Sequence, residues 1–406
     1  MSKEEKVRQK MRELAASLAE TGIDVQAVKA ALKTMEIEVP SWAFADSGTR
    51  FKVFRQAGAA RDIFQKIDDA ACVHKLTGIT PSIAVHVLWD FASAKAEDVA
   101  AYARSAGVRI GAVNPTLFDR DEYRFGSLAN PDPAVRKTAI AHVLESIDIM
   151  RKVESRRLSL WLADGTNYPG QDDLVARKHR LAEGLKAIHK AMDDDMRLLL
   201  EYKFFEPAFY ATDVPDWGAA YVLARSAGPK ASVLVDLGHH AHGTNVEQIV
   251  AFLIDEGMLG GFHLNSRKYA DDDLTTGSMD PYELFLIFNE LVAAGGGTRL
   301  YDTAYMIDQS HNLKPNVEAM IQSVAAIQEI AAKALCVDRR SLRDAQQRCD
   351  AVAAEEVLRQ AFFTDVRPLL AAVREESGVA ADPIEAYRAS GYQQTIERQR
   401  CGEVMR

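Results

Sequence analysis

The chain has 406 residues, of which 48% are hydrophobic and 26% charged, and its formal net charge is −9. This balance excludes the disordered and fibrous classes and supplies enough apolar side chain for a large core; the net acidity argues against a nucleic-acid partner, which needs an electropositive surface to displace counterions from phosphates. The opening "MSKEEKVRQKMRELAASLAETG" has no apolar stretch resembling a signal or membrane span, so a cytoplasmic protein without membrane contact is expected, and Cys72, Cys336, Cys349 and Cys401 stand far apart without a C-x-x-C pair, against a disulfide framework or structural zinc site.

In chain order, eight short apolar runs each end in polar residues: "SWAF" (41–44), "SIAVHV" (82–87), "VRIGAVN" (108–114), "LSLWLAD" (158–164), "RLLLEYK" (197–203), "SVLVDLG" (232–238), "GGFHLNS" (260–266) and "RLYDTAYM" (299–306). Between them lie stretches with apolar spacing near 3.6, including 174–192, 216–228, 245–257 and 281–296, and Gly228, Gly257 and Gly295 stand where helix ends favour a left-handed residue. Strands that alternate with helices and are apolar on both faces make a parallel sheet. Eight repeats predict the α/β class and a (β/α)8 TIM barrel. Helical sequence over 316–338, 343–362 and 364–378 extends beyond the last strand. The expected division is an N-terminal helical arm over 1–38, the barrel with its site over 39–330, and a C-terminal helical extension over 331–406 that packs on the barrel and on neighbouring subunits.

In such a barrel, the C-terminal strand ends and the loops after them converge on one mouth. That rule gathers His86, Trp161, Asp164, Glu201, Lys203, Asp236, His239, His263, Asp271, Asp273, Asp308 and His311. Glu201, Asp236, His263 and Asp308 form a three-carboxylate, one-imidazole set suited to a hard or borderline dication such as Mn²⁺, Mg²⁺ or Co²⁺. A second set, Asp236, His239, Asp271 and Asp273, shares Asp236, and in "DDD" (271–273) the first and third residues turn to one centre while Asp272 turns away. Repulsion among these carboxylates calls for a cation. In "DLGHHAHG" only His239 is taken as a ligand, with His240 and His242 exposed or in support. His86 is either a buried histidine satisfied by Asp90 or a catalytic group; Trp42, Phe51, Phe125 and Trp161 are either core residues or an apolar wall for a sugar; His311 and Asn312 either start a helix or support the site.

The runs "EYKFFEP", "VDLGHH", "FHLNSRKYADDDLTTGSMDP" and "MIDQSHN", with "PSWAF" and "GTRF" near the start and "YRASGY" near the end, resemble the non-enteric branch of the L-rhamnose isomerase family, within the xylose-isomerase-like barrel superfamily. The resemblance implies a homotetrameric barrel enzyme with two divalent ions per subunit, commonly Mn²⁺ with Mg²⁺, Co²⁺ or Zn²⁺ as substitutes, that interconverts an aldose and a 2-ketose. Carried over, a structural ion is held by Glu201, Asp236, His263 and Asp308, and a catalytic ion by His239, Asp271 and Asp273 beside Asp236. Lys203 matches the active-site lysine; Trp42, His86 and Trp161 match positions lining the sugar pocket.

Moving hydrogen between C1 and C2 requires both oxygens to be polarised, which two dications do. Lys203 is expected to hold the developing alkoxide and His86 to assist ring opening, with Asp308 as the third catalytic residue. No carboxylate base is evident beyond the ligands, which favours a 1,2-hydride shift over an enediol. The alternatives are a ketose 3-epimerase on the same barrel and a non-catalytic sugar-binding barrel.

Overall fold

Eight parallel strands close into a barrel in the computed structural model, which describes residues 3–49 and 51–401. They are β1 (Glu38–Pro40), β2 (Ser82–His86), β3 (Arg109–Asn114), β4 (Arg157–Leu160), β5 (Arg197–Glu201), β6 (Ala231–Asp236), β7 (Leu259–Leu264) and β8 (Ala304–Ile307). Closure runs through β1, which pairs with β8 at Glu38↔Met306 and with β2 from Glu38↔Ser82 to Pro40↔Ala84. The expected (β/α)8 barrel with extra helices at both ends is therefore the fold.

One strand is displaced from its expected place. "SWAF" is a 3-10 turn, Ser41–Phe44, and β1 is the three residues before it. Glutamate and proline are poor strand formers, so "EVP" carries little local strand signal. Its pairing depends on tertiary contacts: the buried Glu38 carboxylate accepts from Ser82 Oγ at 2.9 Å and from the Ala112 N–H at 2.8 Å. Two helix-end details also differ. Gly257 is left-handed as expected (φ 64°), but Gly228 has φ 138° and ψ −177°, outside the left-handed helical region, and Gly295 has φ −76°, the left-handed turn falling on Gly296 (φ 77°).

A small inner cluster of Ala84, Ala112, Leu199, Leu234, Ala304 and Met306 fills the barrel interior, and Trp42 lies on it. The main core fills the space between strands and outer helices, as in Ile83, Val85, Leu198, Leu200, Val233, Val235 and Phe262. The helix Asn316–Leu335 packs between Pro281–Ala294 and Ile63–Thr77 and completes the outer ring. Residue 330 therefore falls inside a barrel helix.

The helices Lys3–Glu20 and Val25–Lys33 pack against Arg367–Glu376, where Lys29 and Lys33 each lie 2.7 Å from Glu376. The expected helix over 343–362 is two helices, Arg339–Gln347 and Ala351–Phe363, divided where Cys349 is left-handed (φ 55°) and Asp350 caps the second by accepting from the Ala353 N–H at 3.1 Å. Two further helices, Pro383–Ser390 and Tyr392–Cys401, end the described chain. Among the described residues no single helix is long and apolar enough to cross a membrane. Cys72, Cys336 and Cys349 are free thiols; the side chain of Cys401 lies outside the described residues.

Candidate active site

Four adjacent strands deliver the first group of side chains. Glu201 ends β5, Asp236 ends β6, His263 stands on β7 in register with Asp236, and Asp308 follows β8 directly. One ligand atom from each lies within 4.8 Å of the others, the spacing of a single cation's shell. His263 offers Nδ1, which is 3.2 Å from Glu201 Oε1, 3.7 Å from Asp236 Oδ2 and 3.6 Å from Asp308 Oδ2. Trp42, in the Ser41–Phe44 turn that follows β1, donates from Nε1 to Asp308 Oδ1 at 2.7 Å.

Asp236, His239 and Asp271 form a second group on the same spacing, sharing Asp236 with the first. Asp236 Oδ1 accepts from the Gly238 N–H at 2.6 Å and from Asn265 Nδ2 at 2.9 Å, while its Oδ2 is buried without a hydrogen-bond partner. The His239 ring is oriented by Nδ1 against the Tyr202 carbonyl at 3.0 Å, which turns Nε2 toward Asp271 Oδ1 at 3.3 Å; that oxygen too is buried without a hydrogen bond. Two buried carboxylate oxygens left unpaired, each facing an imidazole and further carboxylates, fit a divalent cation. The donor set, oxygen with one nitrogen per group, is that of Mn²⁺, Mg²⁺ or Co²⁺ rather than a thiolate-bound metal.

The electrostatics point the same way. Burial pushes Asp236 up to about 7, helped by Glu201, Asp271 and Asp308. His239 and His263 lose to burial but gain more from the surrounding carboxylates, and rise to about 9 and about 10. Glu201 and Asp271 are raised by burial, yet their neighbouring imidazoliums, and for Asp271 also Lys203, hold both below the usual carboxylate range. The carboxylates that would face a cation thus favour positive charge at this place, from His239, His263 and Lys203 alike.

Asp272 turns away as expected, accepting from the Lys268 and Tyr269 N–H groups at 2.6 and 3.1 Å. Asp273, left-handed at φ 45°, lines the same cavity but stands outside the second group; burial and the charges of Asp308, Asp271 and Asp236 raise its pKa. Lys203 donates from Nζ to Asp271 Oδ2 at 2.7 Å and Glu206 Oε2 at 2.6 Å, and lies 5.2 Å from the centre of the Trp161 ring.

These groups floor a cavity of about 300 Å³ whose opposite wall is aromatic. Trp42, His86, Trp89, Phe118 and Trp161 follow one another with ring centroids 5.0 Å (Trp42–His86), 4.1 Å (His86–Trp89), 5.9 Å (Trp89–Phe118) and 5.2 Å (Phe118–Trp161) apart. Trp89, Phe118, Asn114, Ser159 and Ser310 were missed by reasoning from strand ends. An aromatic residue three places after His86 and one in "NPTLF" were the available signals.

His86 faces the cavity, and Asp90 does not satisfy its ring. Asp90 accepts the His86 backbone N–H at 2.8 Å, Ser41 Oγ at 2.6 Å and Lys66 Nζ at 2.6 Å, while ring Nδ1 is 3.4 Å from Thr116 Oγ1. Burial and then Lys66 lower His86 to about 3, so the ring is neutral.

Several sequence candidates lie elsewhere. Asp164 is buried outside the cavity lining, accepting from the Ser127 N–H, Ser127 Oγ and the Ala129 N–H at 2.7, 2.7 and 2.8 Å. Phe51 and Phe125 are exposed, neither core nor cavity wall. His240 is buried with Nε2 at 2.6 Å from the Tyr202 hydroxyl, whereas His242 is exposed with Nε2 3.0 Å from the Tyr269 carbonyl. His311 and Asn312 sit in the loop before the helix Asn316–Leu335; the His311 carbonyl accepts from Gln56 Nε2 at 3.4 Å.

The fold and the two ligand groups define a (β/α)8 barrel with a candidate cation site at its C-terminal mouth. The chain belongs to the xylose isomerase-like TIM barrel family, whose sequence model matches residues 76–290. It is 44% identical over 396 residues, covering 94% of this chain and 90% of the other, to a protein of Rhizobium meliloti (strain 1021) named "Probable sugar isomerase". A protein of the same name from Mesorhizobium japonicum is 42% identical, covering 95% and 91%. The barrel resembles the crystal structure of D-psicose 3-epimerase in the presence of D-fructose (15% identity, TM-score 0.51, 75% of this chain and 98% of that one). It also resembles a xylose isomerase domain protein of Alicyclobacillus acidocaldarius (15% identity, TM-score 0.54, 75% and 99%). At such identities the structural likeness is one of fold alone.

Proposed function

We propose that the protein is a metal-dependent aldose–ketose isomerase that interconverts L-rhamnose and L-rhamnulose, working in the cytoplasm as a homotetramer with two divalent ions per subunit, Mn²⁺ foremost. The observation that carries the reading is the pair of ligand groups joined at Asp236, with Lys203 hydrogen-bonded to Asp271 and an aromatic wall opposite. The sugar-isomerase naming of the relatives from Rhizobium and Mesorhizobium supports it. Glu201, Asp236, His263 and Asp308 would hold one ion, and Asp236, His239 and Asp271, with Asp273 beside them, the other. When bound, two dications supply Lewis acidity, stabilising negative charge on adjacent sugar oxygens.

The chain's own groups do the rest. The wall from Trp42 to Trp161 excludes water and covers the apolar face of the sugar. Lys203, fixed and cationic because Asp271 and Glu206 outweigh its burial, holds a developing alkoxide at O1. Neutral His86 can accept the O1 proton of the ring form as the C1–O1 carbonyl forms and the C1–O5 bond breaks, and the proton is then returned to O5. Of the carboxylates lining the cavity, Glu201, Asp271 and Asp308 belong to the proposed ligand sets and Asp273 alone stands beside them; direct hydrogen transfer between C1 and C2 needs no separate carboxylate base.

The test is ketose formation from L-rhamnose by chelator-stripped protein before and after addition of Mn²⁺. Restored L-rhamnulose production is expected, with no solvent tritium at C1 or C2. Ketose from a different aldose changes the substrate and keeps the chemistry. Inversion at C3 of a ketose replaces it with epimerisation, and sugar binding without turnover makes the barrel a binding protein.

A further inference from the structure

Lys203 is held between two carboxylates, of which only Asp271 belongs to a ligand group. An ammonium has three donors. Two are used, at 2.7 Å on Asp271 Oδ2 and 2.6 Å on Glu206 Oε2, and the Trp161 ring covers the group from one side. Glu206 has 28% of its side chain exposed and stands on the loop after β5, between Tyr202 and Ala211. That loop is shaped with some care. Ala211–Thr212 pairs with Gly165–Thr166 as a two-stranded ribbon, Asn167 Nδ2 donates to the Ala208 carbonyl at 3.0 Å, and Ala208 itself has a left-handed φ of 70°, a conformation a non-glycine residue adopts only where its surroundings impose it.

We propose that Glu206 is a positioning residue that divides the charge of Lys203 and thereby sets the cation affinity of the second ligand group. The inference rests on the reading of that group as a cation site. Without Glu206, the whole charge of the ammonium is directed at Asp271, and a carboxylate neutralised by an ammonium is a poor ligand. With Glu206 in place, Lys203 is anchored on the Oδ2 side of Asp271, which leaves Oδ1 facing His239 Nε2 at 3.3 Å and without a hydrogen bond. The arrangement is an outer partner orienting an inner ligand, and loss of such partners commonly costs 10–100-fold in metal affinity.

The experiment is calorimetric titration of Mn²⁺ into chelator-stripped wild-type protein, Asp271→Asn, Glu206→Gln, Glu206→Ala, Lys203→Met and the Lys203→Met/Glu206→Gln double variant, with thermal melts in chelator to check folding. Two binding steps are expected for wild type, one of which Asp271→Asn removes. Glu206→Gln and Glu206→Ala weaken that same step by about tenfold and leave the other within about twofold. In the Lys203→Met background, Glu206→Gln brings no further loss, because the lysine through which it acts is gone. Equal weakening in both backgrounds, or unchanged affinity in folded Glu206 variants, overturns the assignment alone. A wild-type protein that takes up no Mn²⁺ overturns the cation reading and the assignment together, and is a visibly different result.

Discussion

The Trp42 indole Nε1 donates to Asp308 Oδ1 at 2.7 Å, a bond that ties the first βα loop to the last where β1 and β8 close the barrel. An indole can only donate, so it suits a carboxylate whose other oxygen faces a cation, and Asp308 Oδ2 lies 3.6 Å from His263 Nδ1. Trp42 is steadied from below by the Ser41–Phe44 turn, where Ser41 Oγ donates to Asp90 Oδ2 at 2.6 Å. Trp42→Phe keeps most of the ring and deletes the donor. The expected result is about tenfold weaker Mn²⁺ binding at the first group with little change in the melting temperature of the chelated protein. Unchanged affinity in a calorimetric titration would mean that the bond holds the indole and not the carboxylate.

Proton linkage predicts that the cation stabilises the protein more as pH rises. Folded His239 and His263 stand at about 9 and about 10, above the ordinary histidine value of 6.5, and Asp236 stands at about 7 against 3.8. For each, the folded state holds its proton more tightly than the unfolded state, so stability is fully present below the unfolded value and is lost as pH rises through the folded one. Glu201 and Asp271 are lowered, and their contribution is lost only toward acid. The chelated protein should therefore lose melting temperature from about pH 5, where the Glu201 and Asp271 contribution is complete and that of Asp236 is already falling, to about pH 10. The increment given by Mn²⁺ should grow over the same span, because the cation replaces those protons. Thermal melts with and without Mn²⁺ would show this, and a constant increment would contradict it.

Gly238 is fitted closely against the shared ligand. A Cβ placed there would lie 3.1 Å from Asp236 Oδ1, 3.2 Å from Asp271 Oδ1 and 3.3 Å from Asn265 Oδ1. Gly238→Ala must shift at least one of them by a few tenths of an ångström, so Mn²⁺ affinity should fall at both groups, about tenfold, while the chelated protein melts nearly as before. A loss confined to stability would count against Asp236 as the bridge.

Asp164 should act on stability and not on the site. Its carboxylate is buried and accepts three hydrogen bonds from Ser127 and Ala129. Asp164→Ala leaves those donors unpaired and should cost on the order of 2–3 kcal/mol in denaturant unfolding. Its Mn²⁺ affinity should stay at the wild-type level, and a selective loss of metal would return Asp164 to the site.

Much of this was readable in the chain because the signals are local. Apolar runs such as "SVLVD" and "LLLE" are buried strands whatever surrounds them, and in a parallel barrel their C-terminal ends share one mouth. Glu201, Asp236, His263 and Asp308 follow from that geometry once the strand ends are found. β1 was misplaced by a few residues because "EVP" becomes a strand only through the bonds its Glu38 makes to Ser82 and Ala112.

By itself the sequence determined the alternation of strand and helix, and with it the barrel and the chemistry gathered at its mouth, because hydrophobic periodicity and the ligand preferences of Asp, Glu and His are properties of short stretches. The tertiary structure alone decided how the loops run between distant strands. That path takes Asp164 and Phe51 away from the cavity, leaves Asp273 beside the second ligand group, and brings Trp42 to Asp308 and Lys203 to Asp271. Such pairings depend on strand register and loop closure over long stretches of chain, which no local pattern encodes.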